Sequence, residues 1–311
     1  MSTPAERFIA EVQTIRAHVD ALPEVAVRAL LAEIETLRRS VAAEIVSAAP
    51  DTYQPERLRL LDARLRALGQ AVADRYTAAV AGTETRAAAL GQALTAEPLM
   101  ASGDLGFTPQ ASRRQFEIAR AWHASLISGA IGDTINAISS DLRAGLLRGA
   151  STFEIARQVT AKLDAPGPFG SLATRAEAIT RTEIGRITAL AQQASLTEAA
   201  RVVPGLKKMW QHSGNLGRYV RTGHLEADGQ VVAVDAPFRV RPSVVGARSA
   251  FELIQYPRDP MASPENSVFC SCVSLPWRED YAEALDAARD DFKRTQRERL
   301  RDNTFAAGVA A

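Results

Sequence analysis

Residues 27–45, VRALLAEIETLRRSVAAEI, place Val27, Leu30, Ile34, Leu37, Val41 and Ile45 in steps of three or four. That spacing lines up one apolar face on an α-helix. The pattern resumes after a short stretch rich in helix breakers, Pro50-Asp51-Thr52-Tyr53-Gln54-Pro55, with Leu58, Leu61, Leu65, Leu68, Val72 and Tyr76. Two stripes joined by such a link predict an antiparallel helical hairpin. They are too short to require an extended coiled coil, so packing into a core explains them.

Outward from the hairpin, the chain reads as helical to about residue 200. EPLMASGDLGFTP, from Glu97 to Pro109, predicts a loop. A long helix is then expected over about 110–147, with Phe116, Trp122, Leu126, Ile127, Ile131, Ile135, Ile138, Leu142 and Leu146 on its buried side and Gly149 as its stop. Ser151 and Glu154 have capping-box spacing, in which each side chain satisfies a free backbone N–H of the other residue. A further helix is expected from about 171 to 200. From Pro204 the helical period disappears, and seven of the fifteen prolines lie between 204 and 277. Here Tyr219–Glu226 and Gln230–Val234 flank Asp228-Gly229, a dipeptide suited to a tight hairpin turn, and Phe238–Val240 reads as a strand. The expected class is therefore mainly α: a long N-terminal helical region followed by a small α+β C-terminal module. The boundaries read as a helical arm at 1–108, a second helical part at 109–203, a loop-rich module at 204–278, and a C-terminal helix and tail at 279–311, with the last ten residues unpatterned.

Composition narrows the functional classes. Charge is nearly balanced at +1, and no apolar run reaches the roughly 20 residues that span a bilayer. The N-terminus lacks an apolar signal core, so no membrane partner is expected and the chain should remain in the cytoplasm where it is made. All but four of the 37 basic residues are arginine, a good phosphate ligand, yet 36 acidic residues are scattered among them. Nucleotide-binding glycine loops, HExxH and GxSxG are all missing.

Two groups of residues can carry chemistry. On the helix at 171–200, the stripe Ala176, Ile179, Glu183, Ile187, Leu190, Ala194 puts a carboxylate where core is expected. A buried carboxylate needs a partner, and Arg181, Arg186 and Arg221 are candidates for an ion pair that docks this helix onto the module. The alternative is enzymatic, with Glu183, Arg221 and His224 as acid, charge stabiliser and base of a nuclease- or transferase-like site. The second group is His224, Cys270 and Cys272. Thiolate and imidazole suit zinc, and His212, Asp228 or Asp235 could supply a fourth ligand. Packed, reduced thiols beside a core histidine are the other reading of the same three residues. No cofactor besides zinc is suggested.

Taken in order, several pieces resemble one family. They are Leu147–Ala156 (LRGASTFEIA), Ala178–Arg186 (AITRTEIGR), Lys208-Met209-Trp210, Arg221-Thr222-Gly223-His224, Asp228-Gly229-Gln230, Phe238, Tyr256–Pro260 (YPRDP), Glu265 and Cys270-Ser271-Cys272. Over about 140–278 the chain is similar to phage head-morphogenesis, or minor head, proteins of the Mu protein F type. It departs from them at Gly214–Gly217, where the family usually has an aspartate. It also departs at Phe269-Cys270-Ser271-Cys272, where the family prefers Asn-Cys-Arg-Cys, and Asn266 lies too early to substitute. The resemblance implies a virion protein, not an enzyme, present in few copies inside the head at the portal vertex after assembly in the host cytoplasm. Its implied partner is the portal protein, with scaffold or capsid protein and packaged DNA as further candidates, in a role in procapsid assembly and DNA packaging or delivery. Some relatives carry fused toxin domains, and none is expected here because the chain ends soon after the module.

Overall fold

A computed structural model describes residues 2–48, 55–110, 112–164, 171–212, 221–242, 251–291 and 293–295. Five helices dominate: α1 (Pro4–Ser47), α2 (Pro55–Ser102), α3 (Arg113–Leu147), α4 (Thr152–Asp164) and α5 (Leu172–Ala199). There follow β1 (Lys207–Gln211), α6 (Thr222–Ala227), β2 (Val231–Ala233), β3 (Phe238–Val240), β4 (Glu252–Ile254), α7 (Pro264–Ser267) and β5 (Val273–Trp277). The chain is thus mainly α, with long helices first and a small stranded region last. Residues 282–291 and 293–295 are again helical. The expected turn at 50–55 and the chain end at 302–311 lie outside the described residues, apart from Pro55, which opens α2.

The chain forms two compact units, and each is discontinuous in sequence. One comprises residues up to Leu22, Thr85–Glu117 and those from Ile184 onward; the other comprises Pro23–Glu84 and Ile118–Glu183. The four consecutive segments expected from the sequence do not map onto these units, because α1, α2, α3 and α5 each contribute residues to both.

In the helical unit the predicted stripes are the core: Leu30, Leu37, Val41, Ile45 and Leu65 are completely buried. The Ser151 capping box forms as read, with the Ser151 N–H donating to Glu154 Oε2 at 2.9 Å and the Glu154 N–H to Ser151 Oγ at 3.2 Å. On α3 the expected phase is wrong at its start. Trp122 is 54% exposed, and His123 takes the buried position four residues before Ile127. That histidine is stabilised by polar neighbours: Nδ1 lies 2.9 Å from Glu84, which also accepts from Arg120 Nε at 2.9 Å. Tyr76 Oη, 2.8 Å from Thr180 Oγ1, lies at its other nitrogen. A buried group linked in this way incurs little of the cost of an orphaned one.

The other unit packs Phe8, Val12, Ile15 and Val19 of α1 against Leu94 and Leu99 of α2, Leu196 of α5 and the sheet residues Met209, Val273 and Leu275. The loop expected from Pro98 begins later, since α2 continues through that proline to Ser102. Burial of Leu94, Ala96 and Leu99 holds the last turn in place. Gly103, at φ 89°, then ends the helix, and the Asp104 and Leu105 N–H groups both return to the Leu99 carbonyl. The sheet is antiparallel in the order β2-β1-β5, with Trp210 opposite Ser274; β3 and β4 make a separate ribbon with Phe238 opposite Ile254.

The hairpin expected around Asp228-Gly229 is absent. Residues 222–227 are α6, and β2 pairs with β1 instead. Gly229 keeps the positive φ (83°) that the dipeptide suggests, but it uses it to leave a helix, donating its N–H to the Trp210 carbonyl at 2.8 Å. Asp228 has φ −62° and ψ 125°, and its Oδ1 accepts the His212 N–H at 2.7 Å.

Candidate metal centre

His224 projects from α6, while Cys270 and Cys272 lie on the turn between α7 and β5. The structure brings the three together. Their ligand atoms all lie within 4.8 Å of one another, and all three residues are buried. His224 Nδ1 is 3.6 Å from Cys270 Sγ and 3.5 Å from Cys272 Sγ. A tetrahedral zinc with Zn–S near 2.3 Å and Zn–N near 2.0–2.1 Å requires an S···N separation of about 3.6 Å. The donor set and its spacing therefore fit such an ion.

The neighbours settle which ring nitrogen is available. Glu252 Oε2 accepts from Asn266 Nδ2 at 3.0 Å and from the Ser263 N–H at 3.1 Å. Burial pushes the Glu252 carboxyl up, but its bonds to Ser263 and Asn266 bring it below the usual range. A carboxylate only accepts, so the Asn266 amide must turn its nitrogen to Glu252 and its oxygen to His224. That oxygen, 3.2 Å from Nε2, takes the ring proton and leaves Nδ1 bare toward the sulfurs. One lone pair facing two thiols is poorly used by S–H hydrogen bonds and well used by a cation. The Cys270 thiol is held well below its ordinary range, first by its bond from Cys272, with the Arg258 cation acting in the same direction against burial.

Arg258 is the main residue that the sequence reading passed over. It is buried, with a left-handed backbone at φ 65°, and its Nε donates to the Cys270 carbonyl. Nη1 reaches the Gly185 carbonyl at 3.2 Å and the Cys272 carbonyl at 3.4 Å. A Cβ on Gly185 would overlap Arg258 Nε and lie 2.5 Å from Cζ, so the helix needs glycine there. Arg16 of α1 supports the same loop, with Nη2 donating to the Ser271 carbonyl at 2.9 Å. A glycine within the Arg-Thr-Glu helix, together with the arginine in Tyr-Pro-Arg-Asp-Pro, was the available signal for this contact.

The other expected site residues make contacts of their own. Arg181 pairs with Glu24 (2.6 Å) and Glu177 (2.7 Å), both within the helical unit. Arg186 Nε donates to the Arg258 carbonyl at 3.0 Å and Arg221 Nη2 to the Val268 carbonyl, so both meet backbone oxygens of the stranded unit. Glu183 is buried and belongs to the helical unit, whereas Arg221 and His224 belong to the other. His212, Asp228 and Asp235 do not join the three donors among the described residues. Gly214–Gly217 lie outside those residues.

Residues 136–275 match the family model described as Phage Mu protein F like protein. That stretch of the chain is similar to the Mu protein F family. It contains all three donors, Asn266, Glu252, Arg258 and Gly185, and the match supports the phage head-morphogenesis family that the motifs resemble. The chain is 33% identical over 102 residues to the uncharacterized protein YqbB of Bacillus subtilis, covering 33% of this chain and 30% of that protein. It is 31% identical over 104 residues to the NAD(+)–arginine ADP-ribosyltransferase EFV of Enterococcus faecalis, covering 33% of this chain and 20% of that one. The matched stretch thus spans less than a third of either curated relative. No solved structure matches. No helix among the described residues is long and apolar enough to cross a membrane.

Lys208, in the Lys-Met-Trp piece of the Mu F-like region, is a second buried polar group. Its Nζ donates to the Gln255 carbonyl at 2.7 Å and to Gln193 Oε1 at 3.2 Å. Burial lowers its pKa to about 8, although Asp235 and Asp259 pull upward. Between that value and its ordinary 10.5 the unfolded chain holds a proton that the folded chain lacks, so stability should rise with pH across this window. Urea denaturation near pH 8 and near pH 9.5 should show wild type gaining on the order of 1–2 kcal/mol relative to Lys208→Met. Equal pH slopes for the two proteins would contradict it.

Proposed function

We propose that this chain is a phage minor head protein bound at the portal vertex, aiding procapsid assembly and DNA packaging or delivery, with a structural zinc clip in its Mu F-like region. The family match over residues 136–275 carries the reading. The site supports a holding role. Cys270 and Cys272 are buried in a cluster with Trp210, Phe238, Val240 and Ile254, and His224 packs edge-on against Trp210 with its Nε2 held by Asn266. His224, Cys270 and Cys272 would hold the ion and Asn266 would orient the imidazole. The ion would supply cross-linking of α6 to the Cys-x-Cys turn.

The enzymatic alternative, with Glu183, Arg221 and His224, gains nothing from this arrangement, because a buried imidazole whose Nε2 is held by Asn266 and whose Nδ1 would bind the ion is a poor general base. The test is a pull-down of the tagged chain from a head-assembly lysate. Recovery of a portal protein, with this chain substoichiometric to the ring, is the expected result. Repeated recovery of this chain without any head component would overturn the assignment. Any DNA retained through phosphate contacts should be released steeply by salt.

A further inference from the structure

A structural zinc is almost always held by four protein ligands in a tetrahedron, and His224, Cys270 and Cys272 supply three. The carboxylates of this region are committed elsewhere. Asp228 accepts the His212 N–H on Oδ1 at 2.7 Å and pairs with Lys293 through Oδ2. Glu252 holds Asn266 and the Ser263 N–H. Asp259 takes the Gln255 and Met261 N–H groups, one on each oxygen, both at 2.9 Å. Asp235 is exposed. A carboxylate ligand would also leave the buried centre negatively charged, because two thiolates already neutralise Zn²⁺. A neutral imidazole would not.

His212 is buried and lies directly after β1, two residues beyond Trp210. The Trp210 ring packs edge-on against His224, 5.4 Å between centroids, and clusters with both cysteines. Strand alternation turns residues 210 and 212 to the same side. The β1–β5 ladder ends at Gln211 opposite Val273, so His212 and Cys272 are the next residues on the two strands. Burial holds the His212 imidazole below its ordinary pKa, in the neutral form that ligates a metal, and the ring is near enough to Cys270 to feel its charge. We propose, resting on the metal reading above, that His212 turns its ring toward the two sulfurs when the ion binds and completes a two-cysteine, two-histidine centre. Its ring atoms stand outside the group formed by the other three donors, so its side chain has to rotate, while the bond from its N–H to Asp228 keeps its backbone in place. The centre then ties β1, as well as α6, to the Cys-x-Cys turn.

The test is NMR of the full chain, labelled with nitrogen-15 in its four histidines and loaded with cadmium-113 in place of zinc. Cadmium coupling is expected on two imidazole rings, those of His212 and His224, and on the His224 ring alone in His212→Gln. In competition with a chelator, His212→Gln should lose more zinc affinity than the roughly hundredfold that an outer-shell partner is worth. His212→Cys, which restores a fourth ligand, should recover most of that loss, which separates a missing ligand from a misfolded chain. Coupling to His224 alone in the wild type, or undiminished zinc affinity in His212→Gln, overturns the role of His212 and leaves the three-donor clip standing. Coupling to no histidine at all overturns the metal reading and this inference with it.

Discussion

Replacing Gly223 with alanine should cost the stranded unit most of its stability, on the order of 3–5 kcal/mol. Gly223 lies in the first turn of α6, next to His224, and a Cβ there would overlap the Arg241 carbonyl oxygen and lie 2.8 Å from its carbon. These are backbone atoms, so no rotamer change relieves the clash. Either α6 lifts away or the chain leaving β3 bends, and both movements take the imidazole from the sulfurs. Gly82→Ala is the matched control, because a Cβ there meets nothing within 4 Å; it should be neutral or slightly stabilising. Guanidinium denaturation followed by the fluorescence of buried Trp210 would compare them. A Gly223→Ala protein within about 1 kcal/mol of wild type would show that α6 is not held against Arg241 as described.

The second large effect is expected from removing metal. Protein purified without chelator should contain one zinc per chain by elemental analysis, and stripping it should destabilise the stranded unit on the order of 5 kcal/mol. That is less than the roughly 10–16 kcal/mol of zinc fingers, which have almost no other core. Cys270→Ser and His224→Ala should each reproduce the loss and make the protein insensitive to chelator. The ligands bind deprotonated, so zinc-linked stability should be present at neutral pH and be lost as the solution is acidified. Metal-free protein as stable as wild type, tolerant of both substitutions, would leave packed thiols as the correct description.

Much of this was readable before any coordinates, for identifiable reasons. Leucine and isoleucine at three–four spacing leave little choice but helix, and Ser151 with Glu154 marks a helix start by local hydrogen bonding alone. Histidine and cysteine are rare in this chain, so His224, Cys270 and Cys272 stood out by chemical type although some 46 residues separate them. What stayed hidden depends on tertiary partners. Nothing local distinguishes the Trp122 phase from the His123 phase until Glu84 and Tyr76 are known to lie opposite the imidazole. Asp228-Gly229 signals a positive φ, and the chain uses that conformation to close a helix as readily as a hairpin. Arg258 was quoted within a motif but given no role, because its buried side chain packs on Gly185, more than seventy residues earlier. Asn266 seemed too early to matter, yet α7 brings it to the ring nitrogen of His224.

The interleaving of the two compact units has a practical consequence. The chain passes from one to the other after Leu22, Glu84, Glu117 and Glu183, and every passage falls inside a helix. Because each unit is assembled from separate stretches of sequence, no single cut can release either one as an intact fragment. The Mu F-like stretch begins at residue 136, within α3, so expressing it alone would discard α1, α2 and the start of α3. Such a truncation should fail to fold autonomously. In this chain the boundary of evolutionary relatedness is not a boundary of folding.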